Sequence, residues 1–283
     1  MTLSVIVCVK QVLFDKLPYV PDGEGRLVLD DRIQPVYTFN PPDSYALEHA
    51  INLKRKLGAF VTALTLGPDS ARNVLKTCLA RGADAAIHLV CAEKTRGWQS
   101  AALVAQELQR RRPDLVLCGE ESFDDASAGF GPILAERLGW PQLTHAIALE
   151  MANGEVLVRR QLERGDRELL ACQLPAMVTV RPFGMEPQYV SVLQALLTSS
   201  EKIEQRFVDC NQFPTSQPRL IETRVPRTFP RQLSMPAPTL RATERITFLM
   251  SGGRVKKDGD IFQGTPEQAA EKIFQFLKER SFV

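Results

Sequence analysis

Four short, largely apolar runs that include β-branched residues constrain the fold more than any other feature of the chain. They lie at residues 3–9, 60–66, 85–90 and 114–118. Near-continuous runs of this kind are typical of parallel strands buried on both faces of a sheet. Parallel strands need long crossover connections, which are usually helical, so the runs predict an α/β protein.

The segments between these runs have helical periodicity. Residues 43–57, 69–81 and 98–111 carry apolar side chains at helical spacing. With right-handed crossovers, this alternation predicts a doubly wound, mostly parallel sheet with helices on its faces. We expect Asp43 to cap the first of these helices, because the two prolines before it force an extended entry.

The pattern changes after Pro141. Short strand-like segments are separated there by Asn153-Gly154 and Gly165-Asp166, and the first pair is a strong signal for a two-residue hairpin. We therefore expect an antiparallel hairpin region appended to the parallel sheet, ending in a buried strand at residues 176–180.

The C-terminal third differs in composition from the rest. Residues 206–245 are rich in Pro and Arg and predict an extended arm. Residues 246–283 predict a short strand at 246–250 and a last helix, opened by a capping box from Thr265 to Gln268. The apolar stripe of this helix either packs on the same chain or docks on another subunit.

Composition narrows the class of protein. The 283 residues are 44% hydrophobic and 24% charged with a net charge of +2, so no strong field indicates a nucleic-acid partner. The sequence contains no run of about 18 apolar residues, so no membrane span is predicted. The N-terminus has the pattern of a strand rather than of a signal peptide. We expect a cytoplasmic protein. Its six cysteines form no C-x-x-C pair, and we interpret them as buried hydrophobic residues in a reducing compartment: Cys8, Cys78, Cys91, Cys118, Cys172 and Cys210.

The loop at residues 118–132, "CGEESFDDASAGFGP", is the segment that most suggests a site. It could be a catalytic acid cluster, a phosphate cradle or a surface loop. Because it follows a predicted parallel strand and enters a helix, we favour the cradle, where free N–H groups and the helix dipole attract a phosphate.

Catalytic chemistry has less support in the sequence. The three histidines, His49, His88 and His145, belong to no recognisable motif, and neither a metal-ligand spacing nor a P-loop is present. We expect His88 to be a core residue, and His145 could approach the end of the sheet. The residues indicate binding of a nucleotide-like ligand more firmly than catalysis.

Several motifs, taken in order, resemble the β (small) subunit of electron-transfer flavoproteins over about residues 1–205. They are "VIVCVKQV", "FNPPDSYALEHAINLK", "TLGP", "LARGADAAIHL", the segment 113–144, "LPAMVTV" and "EPQYVSV". The segment after about residue 205 extends beyond this core pattern.

The resemblance implies an electron-carrier subunit rather than a stand-alone enzyme. Such a subunit pairs with an α subunit that holds most of an FAD, and the pair carries electrons from an acyl-CoA or other dehydrogenase to a quinone reductase or another oxidoreductase. The β subunit's own site would hold AMP. Two alternatives stay open: an electron-bifurcating subunit with a second FAD and an NADH site, and a free-standing adenine-nucleotide-binding module or ATP-using enzyme. Neither nucleic-acid binding nor direct membrane insertion is implied.

The resemblance also places the functional residues. Its nucleotide site falls on Cys8, Asn40, Pro41, Pro42, Asp43, Leu66, Gly119, Glu120, Glu121, Ser122, Phe123, Asp124, Asp125, Ala126, Ser127, Ala128, Gly129 and Phe130. Family members commonly carry Asn-Gln-Thr-Gly or Ala-Gln-Val-Gly where this chain has residues 128–131, "AGFG", which leaves backbone amides and Ser127 for a phosphate.

A partner-recognition loop is implied at residues 181–200. Its apolar anchor falls at Val192, with Leu193 and Leu196 beside it. The alternative for this segment is a helix that packs on its own chain.

Overall fold

One nine-stranded sheet organises the chain, with the strand order β11-β10-β9-β12-β8-β1-β6-β7-β13. The computed structural model describes residues 2–14, 19–21, 27–29, 36–91, 95, 97–198, 202–210, 236–237, 239–250 and 264–279. The strands are β1 (Ser4–Cys8), β2 (Gln11–Leu13), β3 (Tyr19–Pro21), β4 (Leu27–Leu29), β5 (Tyr37–Phe39), β6 (Phe60–Gly67), β7 (Ala85–Val90), β8 (Leu115–Gly119), β9 (Gln142–Ala152), β10 (Glu155–Gln161), β11 (Arg167–Gln173), β12 (Ala176–Val180) and β13 (Ile203–Phe207). The helices are α1 (Pro41–Leu57), α2 (Arg72–Arg81), α3 (Gly97–Arg111), α4 (Phe130–Leu138), α5 (Val192–Leu197), α6 (Ala242–Met250) and α7 (Pro266–Glu279).

The centre of the sheet is parallel, and helices cover both of its faces. Strand β1 lies between β6 and β8 and pairs in parallel with each. Alternate side chains of β1 enter different cores: Val5 and Val7 pack with residues of α1 and α2, whereas Ile6 and Cys8 pack with residues of α3 and α4. Burial on both faces explains why the strand runs are apolar throughout. The predicted doubly wound α/β fold is confirmed.

The antiparallel hairpin region is also confirmed. Strand β9 pairs in parallel with β12 and then in antiparallel with β10, which in turn pairs with β11. Asn153 and Gly154 both have positive φ angles, 53° and 81°, as a two-residue type I′ turn requires. Two small ribbons, β2–β5 and β3–β4, lie outside the main sheet, and no sequence pattern indicated them.

Strand β13 ends the sheet beyond the predicted domain boundary at residue 205. It pairs in parallel with β7 and extends to Phe207. Glu107 of α3, whose side chain is buried, accepts hydrogen bonds from Arg111 Nε at 2.8 Å and Arg206 Nη1 at 2.5 Å. These charges attach the edge strand to the helix layer, so residues 206 and 207 belong to the sheet and not to an arm.

The six cysteines were interpreted as buried hydrophobic residues in a reducing compartment, and two of them are buried but oxidised, so the expected reduced state was wrong for this pair. Cys91 follows β7 and Cys210 follows β13, and they form a disulfide with a Cα–Cα distance of 6.3 Å. Because the two strands are neighbours, their ends bring these residues together, although they are 119 positions apart in sequence. Cys8, Cys78 and Cys118 are free and buried, and Cys172 is free and half-buried.

Residues 226–283 form a second compact unit. The strand predicted at 246–250 was wrong, because Ala242–Met250 is the helix α6. Glu244 accepts the Arg241 N–H at its start, and Ile246, Leu249 and Met250 have helical spacing. In the predicted capping box of α7, Gln268 Oε1 accepts the Thr265 N–H at 3.1 Å, and Thr265 Oγ1 accepts the Gln268 N–H at 3.4 Å.

Part of the predicted arm, residues 211–235, lies outside the described residues. Within the ranges that are described, no helix combines the length and apolar character needed to cross a bilayer.

Candidate functional site

A cavity of about 160 Å³ opens at the carboxyl ends of β1 and β8. These are the two strands from which the chain winds in opposite directions, and open α/β sheets bind ligands at this switch in strand order. The lining residues are Cys8, Val9, Lys10, Asn40, Asp43, Leu64, Leu66, Thr95, Gly97, Ser100, Val104, Cys118, Gly119, Glu120, Glu121, Ser122, Asp125, Ser127, Ala128 and Phe130.

Asp43 connects three elements at the base of the cavity. Its buried carboxylate accepts the backbone N–H groups of Gly119 and Lys10, each at 2.8 Å, so it joins α1 to the ends of β8 and β1. Burial raises the pKa of Asp43 to about 7, although the two N–H donors act in the opposite direction. The prediction that Asp43 caps α1 was wrong: the helix begins at Pro41, and the carboxylate is used between elements instead.

Gly119 permits this close approach. A Cβ atom at residue 119 would lie 2.5 Å from Asp43 Oδ1 and 2.6 Å from Pro42 Cβ. The Oδ1 atom is held by a hydrogen bond, Pro42 Cβ belongs to a ring, and the Asp43 backbone N would lie 2.8 Å away, so only glycine fits between β8 and the start of α1.

Asn40 holds the acidic loop in place. Its amide Nδ2 donates to the Glu121 carbonyl at 2.9 Å, and its Oδ1 accepts the Phe123 N–H at 3.2 Å. The side chain is buried, with both ends of the amide bonded to the loop. Asn40 therefore positions one wall of the cavity.

Lys10 bridges the loops that follow β1 and β8. Its Nζ lies 2.6 Å from Asp124, 3.4 Å from Asp125 and 3.1 Å from the Ser122 hydroxyl. Burial raises the pKa of Asp125, but hydrogen bonds from Ser122 and the Ser127 N–H, together with the charge of Lys10, outweigh it and hold the pKa below its ordinary value.

The segment before α4 contains two alanines with unusual backbone angles. Ala126 and Ala128 have positive φ angles of 47° and 50°, which are unusual for alanine and cost conformational energy. Ala128 is followed by Gly129 in a right-handed conformation, with φ −90° and ψ −20°, and a step of this kind can turn successive N–H groups toward one point. Gly129, the N-cap of α4, makes no side-chain cap bond, so no capping side chain occupies the first amides of this helix.

Another part of the cavity lining comes from Thr95 and the start of α3, and sequence reasoning missed it. Thr95, Gly97 and Ser100 line the cavity, and the Thr95 and Ser100 hydroxyls lie 2.8 Å apart. The position of this segment in the sequence could have indicated it. The segment follows β7, whose carboxyl end lies at the same edge of the sheet as those of β1 and β8.

A second charged cluster adjoins the cavity at Glu120. Its carboxylate accepts hydrogen bonds from Arg181 Nε at 3.0 and 3.1 Å, and it lies 2.8 Å from His145 Nδ1. His145 has a positive φ of 57° and its N–H donates to the Thr179 hydroxyl. His145 thus lies at the sheet end, where the sequence allowed it to be, and its contact with Glu120 was not foreseen. His88 is buried, with its Nε2 3.2 Å from the Gly67 carbonyl.

The structure brings two thirds of the implied nucleotide residues to the cavity. Those that line it are Cys8, Asn40, Asp43, Leu66, Gly119, Glu120, Glu121, Ser122, Asp125, Ser127, Ala128 and Phe130. The others belong to the same loops but do not line it: Pro41, Pro42, Phe123, Asp124, Ala126 and Gly129.

The implied partner-recognition residues are exposed on helix α5. Val192, Leu193 and Leu196 are 70%, 67% and 78% exposed, and Tyr189 and Leu197 beside them are exposed as well. Ser191 caps this short helix by accepting the Gln194 N–H. These apolar side chains lie on the surface and are not packed into their own chain.

A doubly wound sheet with a polar cavity at its switch point is typical of the α/β proteins that bind a ligand at this edge of the sheet. The comparison with known families is more specific, because the model for the electron transfer flavoprotein domain matches residues 31–208. The chain belongs to the β-subunit family of electron-transfer flavoproteins.

Individual relatives agree with this assignment. The electron transfer flavoprotein subunit beta of Homo sapiens is 33% identical over 209 residues, which cover 71% of this chain and 80% of the relative. The acryloyl-CoA reductase electron transfer subunit gamma of Anaerotignum propionicum is 30% identical over 202 residues, which cover 67% and 72%.

One relative extends the similarity to the C-terminal segment. The electron transfer flavoprotein subunit beta of Thermoanaerobacterium thermosaccharolyticum is 26% identical over 284 residues, which cover 99% of this chain and 100% of the relative. The segment after residue 205, which appeared to extend beyond the core pattern, therefore has a counterpart in that protein.

Proposed function

We propose that the chain is one half of a heterodimeric electron-transfer flavoprotein. Its α-type partner would hold most of an FAD, and the pair would carry electrons from an acyl-CoA or other dehydrogenase to a quinone reductase or another acceptor. The family assignment supports this role, and so do two separate surfaces of the chain: the cavity at the switch point and the exposed apolar helix α5.

The cavity is the observation that supports a nucleotide most directly. The amides at the start of α4 suit a phosphate, while Leu64, Leu66 and Val104 supply an apolar wall that suits a base. Asn40 and Asp43 would fix the loops around the ligand without needing to contact it, since their polar atoms bond to those loops. The nucleotide would be AMP, or a second FAD in a bifurcating version.

FAD supplies the electron-transfer chemistry of such a pair when it is bound. This chain's contribution would be structural: the bonded loops hold the nucleotide, and helix α5 presents an apolar surface to a partner. Five exposed large side chains lie between residues 189 and 197, and an apolar cluster of that kind marks an interaction surface.

Purification of the chain with a co-expressed α-type partner tests the proposal. We expect a stable heterodimer, one flavin per heterodimer by absorbance, and an adenine nucleotide released on denaturation and identified by mass spectrometry. Two flavins per heterodimer would favour the bifurcating version. A chain that never associates with the α-type partner would contradict the proposal.

A further inference from the structure

The carboxylate of Asp125 occupies hydrogen-bond donors that a phosphate would otherwise use. Its Oδ1 accepts the Ser122 hydroxyl at 2.7 Å and the Ser127 backbone N–H at 3.1 Å, and its Oδ2 lies 3.4 Å from Lys10 Nζ. A hydroxyl, a loop amide and a lysine ammonium are groups that bind phosphate oxygens in proteins. Asp125 therefore acts as an anion built into the wall of the cavity.

The charges around Asp125 add to this effect. Among the described residues that line the cavity, Lys10 is the one basic side chain, whereas Asp43, Glu120, Glu121 and Asp125 are acidic. Lys10 is also bonded to Asp124 at 2.6 Å, so two carboxylates and the Ser122 hydroxyl already surround its ammonium group. A ligand anion near Lys10 would find the cation neutralised and negative charge beside it.

The donors that remain suit a single phosphate. The amides of Ala128 and Gly129 have no hydrogen-bond acceptor within the described residues, and they lie where α4 begins. A phosphate there would be stabilised by the helix end. A second phosphate attached to it would compete with Asp125 for Ser122, Ser127 and Lys10.

We propose that Asp125 determines how many phosphates this site accepts: a nucleoside monophosphate binds, and a ligand with a diphosphate is rejected. The proposal depends on the nucleotide site proposed above and deepens it. It favours AMP over a dinucleotide such as FAD, because the diphosphate of FAD would need the donors that Asp125 holds.

Titration calorimetry on the full-length, nucleotide-free chain tests this with AMP and ADP, which differ by one phosphate. In the wild type we expect AMP to bind at least about tenfold more tightly than ADP, the size of effect that a lost charge-assisted hydrogen bond produces. Asp125→Ala should reduce that ratio by about tenfold, mainly through tighter ADP binding. Asp125→Asn should lie between the two, since its amide oxygen still accepts hydrogen bonds but carries no charge.

Asp166→Asn is the matched control, because Asp166 is exposed in the turn between β10 and β11, away from the cavity lining. It should keep the wild-type ratio. Equal affinities for AMP and ADP in the wild type, or an unchanged AMP-to-ADP affinity ratio in both Asp125 variants, would contradict the role of Asp125. Neither result would contradict the nucleotide site itself. If neither AMP nor ADP binds, both the proposed nucleotide site and the proposed role of Asp125 are contradicted. Should Asp125→Ala fail to fold, the ratio measured with Asp125→Asn decides.

Discussion

The Asp43 carboxylate and the Gly119 backbone N–H lie 2.8 Å apart and join the start of α1 to the end of β8. They are 76 positions apart in sequence, and both line the cavity. The same carboxylate accepts the Lys10 N–H, so one buried side chain sets the relative positions of three segments around the site.

Gly119→Ala should destabilise the chain by roughly 1–3 kcal/mol, the usual cost of overpacking a tight site. The added Cβ would lie within 2.6 Å of both Asp43 Oδ1 and Pro42 Cβ, so α1 or the loop must move. Urea unfolding monitored by circular dichroism measures the effect. Gly97→Ala is the control: no atom lies within 4 Å of its added Cβ, and its unfolding free energy should change by less than about 1 kcal/mol. Equal effects of the two substitutions would contradict the steric argument.

Asp43 should give stability an unusual dependence on pH. Burial raises its pKa from the ordinary 3.8 of an aspartate to about 7 in the folded chain, so between these values the folded state binds more protons than the unfolded state. This group's contribution is therefore complete below about pH 4 and is lost as the pH rises through about 7, by roughly 4 kcal/mol in total. Unfolding of the wild type and Asp43→Asn is measured from pH 5 to 8: relative to the variant, the wild type should lose about 1.4 kcal/mol of unfolding free energy per pH unit from 5 to about 7, and the change should level off above that. A constant difference would show that Asp43 does not titrate in this range.

His49 should have the opposite pH dependence. It is buried in α1 with no hydrogen-bond partner for either ring nitrogen in the described structure, and burial lowers its pKa to about 4. The unfolded chain binds the proton more tightly, so stability falls as the pH drops from about 6.5 to 4, by roughly 3 kcal/mol.

His49→Leu should remove this loss of stability in acid. It should also raise the unfolding free energy at pH 7 by about 1 kcal/mol, since two unpaired buried polar atoms disappear. Chemical unfolding at pH 5 and pH 7 measures both effects. A leucine variant less stable than the wild type at pH 5 would indicate that the imidazole has a partner.

The layered fold could be predicted because strands that are buried on both faces have nearly continuous apolar sequences, as at residues 3–9 and 114–118. The cavity could be placed because it lies at the ends of those strands. The partners of its polar residues could not. Asn40 bonds Glu121 and Phe123, which lie 81 and 83 positions away, and no local pattern encodes such a pairing. For the same reason, the sequence did not indicate the Cys91–Cys210 disulfide or the part of the cavity lining at Thr95.

Leu193→Gln should weaken docking of a dehydrogenase while leaving the fold intact. The side chain is 67% exposed on α5, so its loss should change the unfolding free energy by less than about 0.5 kcal/mol. With the proposed heterodimer as electron acceptor for an acyl-CoA dehydrogenase, we expect the KM for the heterodimer to rise about tenfold or more, as for a hot-spot residue. Leu57→Gln, at the 54% exposed end of α1, is the matched control and should leave KM unchanged. Equal KM values for the two variants would show that α5 is not part of the docking surface.

Residues 226–283 should contribute to assembly more than to the fold of the chain. They form a separate compact unit, and Ile273 and Phe274 of α7 are at least half exposed. Exposed apolar side chains on an amphipathic helix suit an interface with another protein, and we propose that this protein is the α-type partner. Deleting 226–283 should change the unfolding free energy of residues 1–225 by less than about 1 kcal/mol, while sedimentation or size-exclusion assays should show heterodimer affinity at least about tenfold lower.

A longer deletion, from residue 203, also removes β13 and Cys210, and it should destabilise the sheet itself because it ends the pairing with β7 and the Glu107–Arg206 ion pair. If the shorter deletion left heterodimer affinity unchanged, the second unit would have no part in assembly.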